Sequence, residues 1–244
     1  MRRLLTLAML GVLASCEVRT LPPLGHVLLY IDTDAPLPSA PGATRSQDAP
    51  APLFDRVLVD IFRPGEVDRC AQCSREIDLD EELVRNGASF AVLGGPGLVA
   101  RVRLVRSTSI VDGAISPFST VEVWVAIPAA PSEGRGEATI TLATEDVGVA
   151  RGTVDEPIAT APGRSASPVG SWPDAQRIPC SGEPLPDEVC VPGGAYWMGN
   201  PHNRVASRAA GDIERLVVIA PFYMQDHEIT VAELRARLPN RAVA

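Results

Sequence analysis

The sequence contains no lysine. All 22 basic residues are arginine, against 30 aspartates and glutamates, and the formal charge is −8. A uniform choice of arginine reads as coding bias rather than as a binding surface. With no basic stripe to neutralise phosphates, a nucleic-acid partner is excluded. Aromatic residues are scarce at 5%, whereas prolines number 23; this disfavours long helices and favours short elements joined by extended linkers. Histidine occurs three times, as His26, His202 and His227. No nucleophile–base signature surrounds any of them, and each reads as a surface or satisfied histidine rather than a ligand. Beyond the opening residues no apolar run is long enough to cross a bilayer, and no repeat of fixed period is present. What is there, 244 residues with 45% hydrophobic and 21% charged, suits one or two globular domains.

The opening "MRRLLTLAMLGVLASC" has a basic start at Arg2 and Arg3, then an apolar run from Leu4 to Leu13. That run is of signal-peptide length, too short for a spanning helix. Small residues and Cys16 follow. The stretch resembles a bacterial lipoprotein signal with Leu13-Ala14-Ser15-Cys16 as its lipobox. The resemblance implies cleavage before Cys16, lipidation of that residue, and membrane attachment through the acyl chains. Residues 1–15 are then the signal peptide and 16–23 a tether. Glu17, where aspartate would argue for inner-membrane retention, points to the outer membrane, so the expected location is the cell envelope.

With Cys16 assigned to lipid, Cys70, Cys73, Cys180 and Cys190 remain. An even number in an exported chain suggests disulfides. Three pairings are possible, of which the local one, Cys70–Cys73 with Cys180–Cys190, is the simplest. "CAQC" also fits a redox or half-zinc motif. Its flanks do not read as a helix start that would depress a thiol pKa, and no second ligand pair lies nearby, so a structural disulfide is expected.

Period-two alternation marks the next part of the chain. "HVLLYIDT", "RVLVDIFR", "ARVRLVR" and "TVEVWVAI" alternate, and "ASFAVLG" and "ATITLAT" are apolar runs. Gly- and Pro-rich pieces separate them. The expectation is a mainly β protein: an antiparallel β-sandwich, Ig-like or like a carbohydrate-binding module, over 24–152. A helical turn or two fits "LDEELVRNG". Residues 153–178, rich in Pro, Ser and Ala, read as a linker. Trp124 and Tyr30 are candidate ligand-stacking residues on outward positions. Asp32 and Asp34, and Asp78, Asp80, Glu81 and Glu82, lack the spacing of a calcium loop and read as solvated acidic turns. "GGPG" at 94–97 is no phosphate loop, since no Lys-Ser/Thr follows.

In "CVPGGAYWMGN", Val191 ends a strand, Pro192-Gly193-Gly194 turns, and Ala195 to Met198 start another strand. "RLVVIAPFYMQDHEIT" reads as a strand, with Leu216, Val218 and Ala220 on one face, Pro221 interrupting the ladder, and Phe222 and Met224 in a core. Thr230 and Glu233 form a capping box for a helix at "VAELRARL". The phrases Val191 to Gly194, Met198-Gly199, Pro221-Phe222-Tyr223 and Glu228-Ile229-Thr230 resemble the start of the formylglycine-generating enzyme family, the sulfatase-modifying factor domain. The resemblance spans about 189–240, within a segment 179–244, and covers only the opening of the family's domain.

That resemblance implies an α+β fold like a C-type lectin. In active members a copper-binding cysteine pair and calcium sites lie further downstream, so no catalytic or metal residue and no cofactor is assigned to this chain. Cys180 and Cys190 match no catalytic position. Tyr196-Trp197 replaces the family's usual Phe-x. The expectation is therefore an envelope lipoprotein. It combines a β-sandwich that binds or presents an envelope glycan or protein with an incomplete, non-catalytic family segment. One alternative is a fragment of a copper-dependent formylglycine-generating oxidase; another is a carbohydrate or cell-envelope binding module.

Overall fold

A computed structural model describes residues 25–66, 68–166, 168–200 and 214–237. Cys16 and His202 lie outside the described residues. The fold is mainly β. Strands β1 (His26–Thr33), β2 (Arg56–Phe62), β3 (Arg75–Asp78), β4 (Ser89–Val92), β5 (Val99–Val105), β6 (Val121–Ala126) and β7 (Arg135–Leu142) are followed by the two-residue strands β8 (Ala150–Arg151), β9 (Ile158–Ala159) and β10 (Ala161–Pro162). They form two sheets. One runs β10-β7-β1-β4; the other runs β3-β2-β5-β6-β8, with β9 also on β6.

The alternation seen in the sequence decides which side chains lie between the sheets. Val27, Leu29 and Ile31 of β1, Val57, Val59 and Ile61 of β2, Val102 and Leu104 of β5, Val121, Val123 and Val125 of β6, and Ile140 and Leu142 of β7 are all buried in one core. Each such side chain contributes about 1.5–3 kcal/mol over its exposed state, and this apolar layer holds the two sheets face to face.

The sheets are mixed rather than purely antiparallel. β1 pairs with β7 in parallel over its whole length, from His26↔Arg135 to Thr33↔Leu142, and β8 and β9 pair in parallel with β6. Alternation sets the face a residue takes and is silent on strand direction, so this pairing had no sequence signal.

Residues 153–178, expected as a linker, carry β9 and β10 and so contribute a strand to each sheet. Two-residue strands are too short to show periodicity. Gly152 makes the turn between β8 and β9 possible: its φ is +73°, and a Cβ there would lie 2.9 Å from the Trp124 carbonyl oxygen.

Helix α1 (Glu81–Asn86) forms where "LDEELVRNG" suggests. The Asp80 carboxylate accepts from the Leu83 N–H at 2.7 Å, and Gly87, with φ 99°, closes the helix in the left-handed region.

The C-terminal segment builds two ribbons and a helix. β11 (Glu188–Val191) pairs with β14 (Phe222–Gln225), and β12 (Gly194–Met198) with β13 (Arg215–Ile219), both antiparallel. Helix α2 (Val231–Arg237) starts from the expected capping box: the Thr230 N–H donates to Glu233 Oε2 at 2.8 Å, and the Glu233 N–H donates to Thr230 Oγ1 at 3.2 Å. A Cβ on Gly193 would sit 2.8 Å from Pro221 Cδ and 2.9 Å from the Ile219 carbonyl oxygen, so the Pro-Gly-Gly phrase lets the two ribbons touch backbone to backbone.

Phe222 and Met224, expected in a core, are 45% and 51% exposed, as is Val218 at 51%. Among the described residues no element covers Phe222 and Met224 on β14 or Val218 on β13.

The described residues of the segment lean on the sandwich core. Trp197 Nε1 donates to the Leu53 carbonyl at 2.7 Å, and its ring meets Phe54 edge-on at 5.6 Å. Arg106 lies over the same indole at 5.6 Å and pairs with the buried Glu214 at 2.5 Å; Ser109 also donates to that carboxylate.

Candidate functional site: an arginine-ringed cavity on the outer sheet face

On the outward face of the β3-β2-β5-β6 sheet, β2 presents Leu58, Asp60 and Phe62, and β5 presents Arg101 and Arg103. Antiparallel register sets Asp60 opposite Arg101 and Leu58 opposite Arg103. Asp60 is only 2% exposed although it points away from the core. The loop between β2 and β3 folds back over it. That loop is pinned twice: the Cys70 N–H donates to the Ile61 carbonyl at 2.8 Å, and Cys70 and Cys73 are joined by a disulfide. The residues on either side of the disulfide, Arg69 and Ser74, reach the same carboxylate.

The Asp60 carboxylate is saturated. Oδ1 accepts from Arg69 Nη1 at 2.8 Å and from Ser74 Oγ at 3.0 Å. Oδ2 accepts from Arg101 Nη2 at 2.8 Å, more weakly from Arg101 Nε at 3.3 Å, and from Arg103 Nη2 at 2.8 Å. Burial alone would raise the pKa of Asp60. The hydrogen bonds from Arg101 and Arg69, the charge of Arg103 and the Ser74 hydroxyl outweigh it and hold the group at about 2. Arg103 shows the opposite strain: burial, and then the neighbouring Arg101 charge, lower its pKa against the pull of Asp60 and Glu122. Its Nε is buried with no acceptor among the described residues.

Arg101 is held flat by aromatic rings. Its guanidinium lies 5.2 Å from the Trp124 ring and 5.7 Å from that of Phe62. The two rings are 5.0 Å apart, and Trp124 Nε1 donates to Glu122 at 2.7 Å. Beside this stack is an open cavity of about 440 Å³, lined by Arg69, Arg75, Arg101, Arg103, Asp60 and Glu76 among others; Trp124 and Phe62 reach it only through Arg101. Glu76 is engaged by Arg56, which also meets Asp78 at 2.9 Å. In a chain of charge −8, four arginines and two carboxylates make a locally cationic hollow.

The residues singled out in the sequence are dispersed. Trp124 supports this cavity. Tyr30 lies on the outer face of the other sheet, where its hydroxyl donates to Glu137 at 3.3 Å and Arg164 covers its ring at 5.5 Å. The two aromatics therefore do not form one platform. Cys180 and Cys190 are disulfide-bonded, so both pairs follow the simplest arrangement. Asp32 is buried and accepts from Ser165 at 2.8 Å, and Asp34 accepts from the Thr144 N–H at 2.8 Å and from its hydroxyl; neither is a solvated turn residue. Asp80 caps α1, and Glu81 pairs with Arg85 at 3.1 Å.

His227 bridges Asp226 at 2.8 Å and Glu233 at 3.2 Å, and these partners raise its pKa. Among the described residues no group of three or more His, Cys, Asp and Glu is placed to hold a metal ion, and no helix is long and apolar enough to cross a membrane. The site residues missed in the sequence are Asp60, Arg69, Arg101 and Arg103. Their signal was an aspartate on an outward position of "VLVDIF" facing the "RVR" of a later strand. No family model, no curated protein and no solved structure matches this chain.

Proposed function

We propose that this chain is an envelope lipoprotein, anchored through Cys16, whose β-sandwich is a binding or presentation module and whose C-terminal family-like segment is a non-catalytic scaffold. The observation that carries the binding reading is the concave, cationic site on the outer sheet face, where Trp124 and Phe62 pack on Arg101, one of its lining residues. Two disulfides suit an exported chain. The scaffold reading is supported by the way Trp197, Arg106 and Glu214 tie the segment to the sandwich.

The anchor is tested by intact mass and fractionation. The membrane-fraction protein is expected to begin at Cys16 and to carry acyl chains, and Cys16→Ala is expected to move the protein out of that fraction. An unacylated mass, or a Cys16→Ala protein that fractionates like the wild type, would sink the anchor. The module is tested on a panel of envelope polymers: retention that falls on Trp124→Ala supports it, and a flat panel counts against it. Conversion of a sulfatase peptide's cysteine to formylglycine by the purified chain would overturn the scaffold reading in favour of an oxidase.

A further inference from the structure

We infer that the arginine-ringed cavity over β2 and β5 is a phosphate-binding site, with Arg69, Arg101 and Arg103 as its donors and Asp60 as a built-in spacer that holds them apart. The inference sharpens the reading of the sandwich as a binding module and rests on it; it does not depend on the anchor.

A guanidinium carries five N–H donors. Asp60 takes one each from Arg69 and Arg103 and two from Arg101. Most donors of the ring are left over, while the carboxylate has no lone pair to spare. The Nε of Arg103 is buried without an acceptor among the described residues, a costly arrangement that an incoming oxygen close to it relieves.

Charge selects among anions. One carboxylate balances one of the three guanidinium groups it holds. Arg75 adds a fourth at the rim, where its Nη1 donates to the Gln72 and Ser74 carbonyls at 3.1 and 2.8 Å. Glu76 is engaged by Arg56, and Glu122 lies beyond Arg103, hydrogen-bonded to Trp124. The surplus of about two charges matches a phosphate of about −1.5 to −2 better than a single carboxylate.

Preorganisation comes last. Arg103 is 14% exposed and Arg101 24%, whereas Arg69 at 56% stands at the mouth. Arg101 is thus fixed by packing on Trp124 and Phe62 and Arg103 by burial, while the more exposed arm, Arg69, is held to Asp60. The arm is positioned by the Cys70–Cys73 loop. Planar, forked donors held in this way suit bidentate recognition of phosphate oxygens.

The test is titration calorimetry of the full chain with inorganic phosphate, glycerol 3-phosphate and acetate in a low-salt chloride buffer. Saturable phosphate binding with weaker acetate binding is expected. Tighter binding of glycerol 3-phosphate identifies an esterified headgroup as the source, and preference for inorganic phosphate identifies the free ion; both support the site. Arg69→Gln is expected to weaken phosphate about tenfold, the equivalent of one charged hydrogen bond. Asp60→Asn, which removes the resident negative charge, is expected to tighten it.

Equal weakening by both variants would mark a purely structural cluster and overturn the inference. So would the absence of saturable phosphate binding, acetate binding as tight as phosphate, or an unchanged Arg69→Gln protein. Phenylglyoxal modification of the unaltered chain keeps the test independent of variant folding: phosphate must protect Arg69 and Arg101, and unprotected modification there overturns the site. Failure with phosphate alongside retention on the polymer panel would retire this site and leave the binding reading standing; a flat panel with phosphate bound would do the reverse.

Discussion

Asp60 is a buried carboxylate that holds three arginines and a serine. Its folded pKa of about 2 lies below the ordinary 3.8, so the ionised form is favoured by folding. The sign is that of a depressed acid: the stabilisation is complete above the unfolded pKa and is lost as pH falls through the folded one. The window is therefore about pH 4 down to about pH 2, and the amount is about 2 kcal/mol. Urea midpoints for wild type and Asp60→Asn are expected to differ at neutral pH and to converge toward about pH 2; curves that stay parallel across that window would show that the charge on Asp60 is not what stabilises the fold. The cluster was half legible in the sequence. Alternation puts Asp60, Arg101 and Arg103 on outward positions. What brings Asp60 to Arg101 is a pairing 41 residues apart in the chain, and period two does not encode register between strands. Taking the arginines as coding bias treated them as a number, whereas their meaning lies in where β5 sets them. The same blindness applies to Tyr30 and Trp124, alike in pattern and placed on opposite faces.

At the scale of elements, legibility followed length. The long alternating runs became β1, β2, β5 and β6, because several alternating apolar residues commit a strand to one face. β8, β9 and β10 span two residues each, too few to carry a period, and they form because the edges of the two sheets offer unpaired backbone groups. Phe222 and Met224 misled for a different reason. Apolar residues on a two-stranded ribbon find a core only if something packs on that face, and strand periodicity does not report the layer above. Helix α1 was legible because its signals are local: Asp80 before the first turn, Glu81 and Glu82 within it, and Gly87 after it. Asp80→Ala removes the acceptor for the Leu83 N–H and is expected to cost about 1 kcal/mol, read as a lower midpoint in thermal unfolding. A midpoint equal to wild type would show that packing of Val84, not the cap, sets the helix.

For the whole molecule, the governing feature is that the described part of the C-terminal segment packs on the sandwich core. Ala195 belongs to the sandwich core, with Trp197 and Leu216 packed against it. Trp197→Ala removes the indole hydrogen bond, the edge-on contact with Phe54 and the platform beneath Arg106 together. Docking is expected to weaken by about 2–3 kcal/mol, less than for a fully buried tryptophan because Trp197 is only partly buried. Limited proteolysis is expected to cut within 214–237 while the sandwich survives; a segment as resistant as wild type would mean that the Arg106–Glu214 pair suffices. The two-part organisation read from the sequence follows composition, and composition does not report that Leu53 and Trp197 meet.

The parallel pairing of β1 with β7 has a mechanical meaning. β1 lies between β4 and β7, paired with β7 along its whole length and with β4 from Val27 to Tyr30. Tension that enters at Gly25 runs along the strand, across the direction of its hydrogen bonds. The bonds then share the load in shear instead of opening one after another. Under the proposed anchoring at Cys16, drag on the body would load β1 lengthwise, and the β1–β7 seam would act as a shear joint.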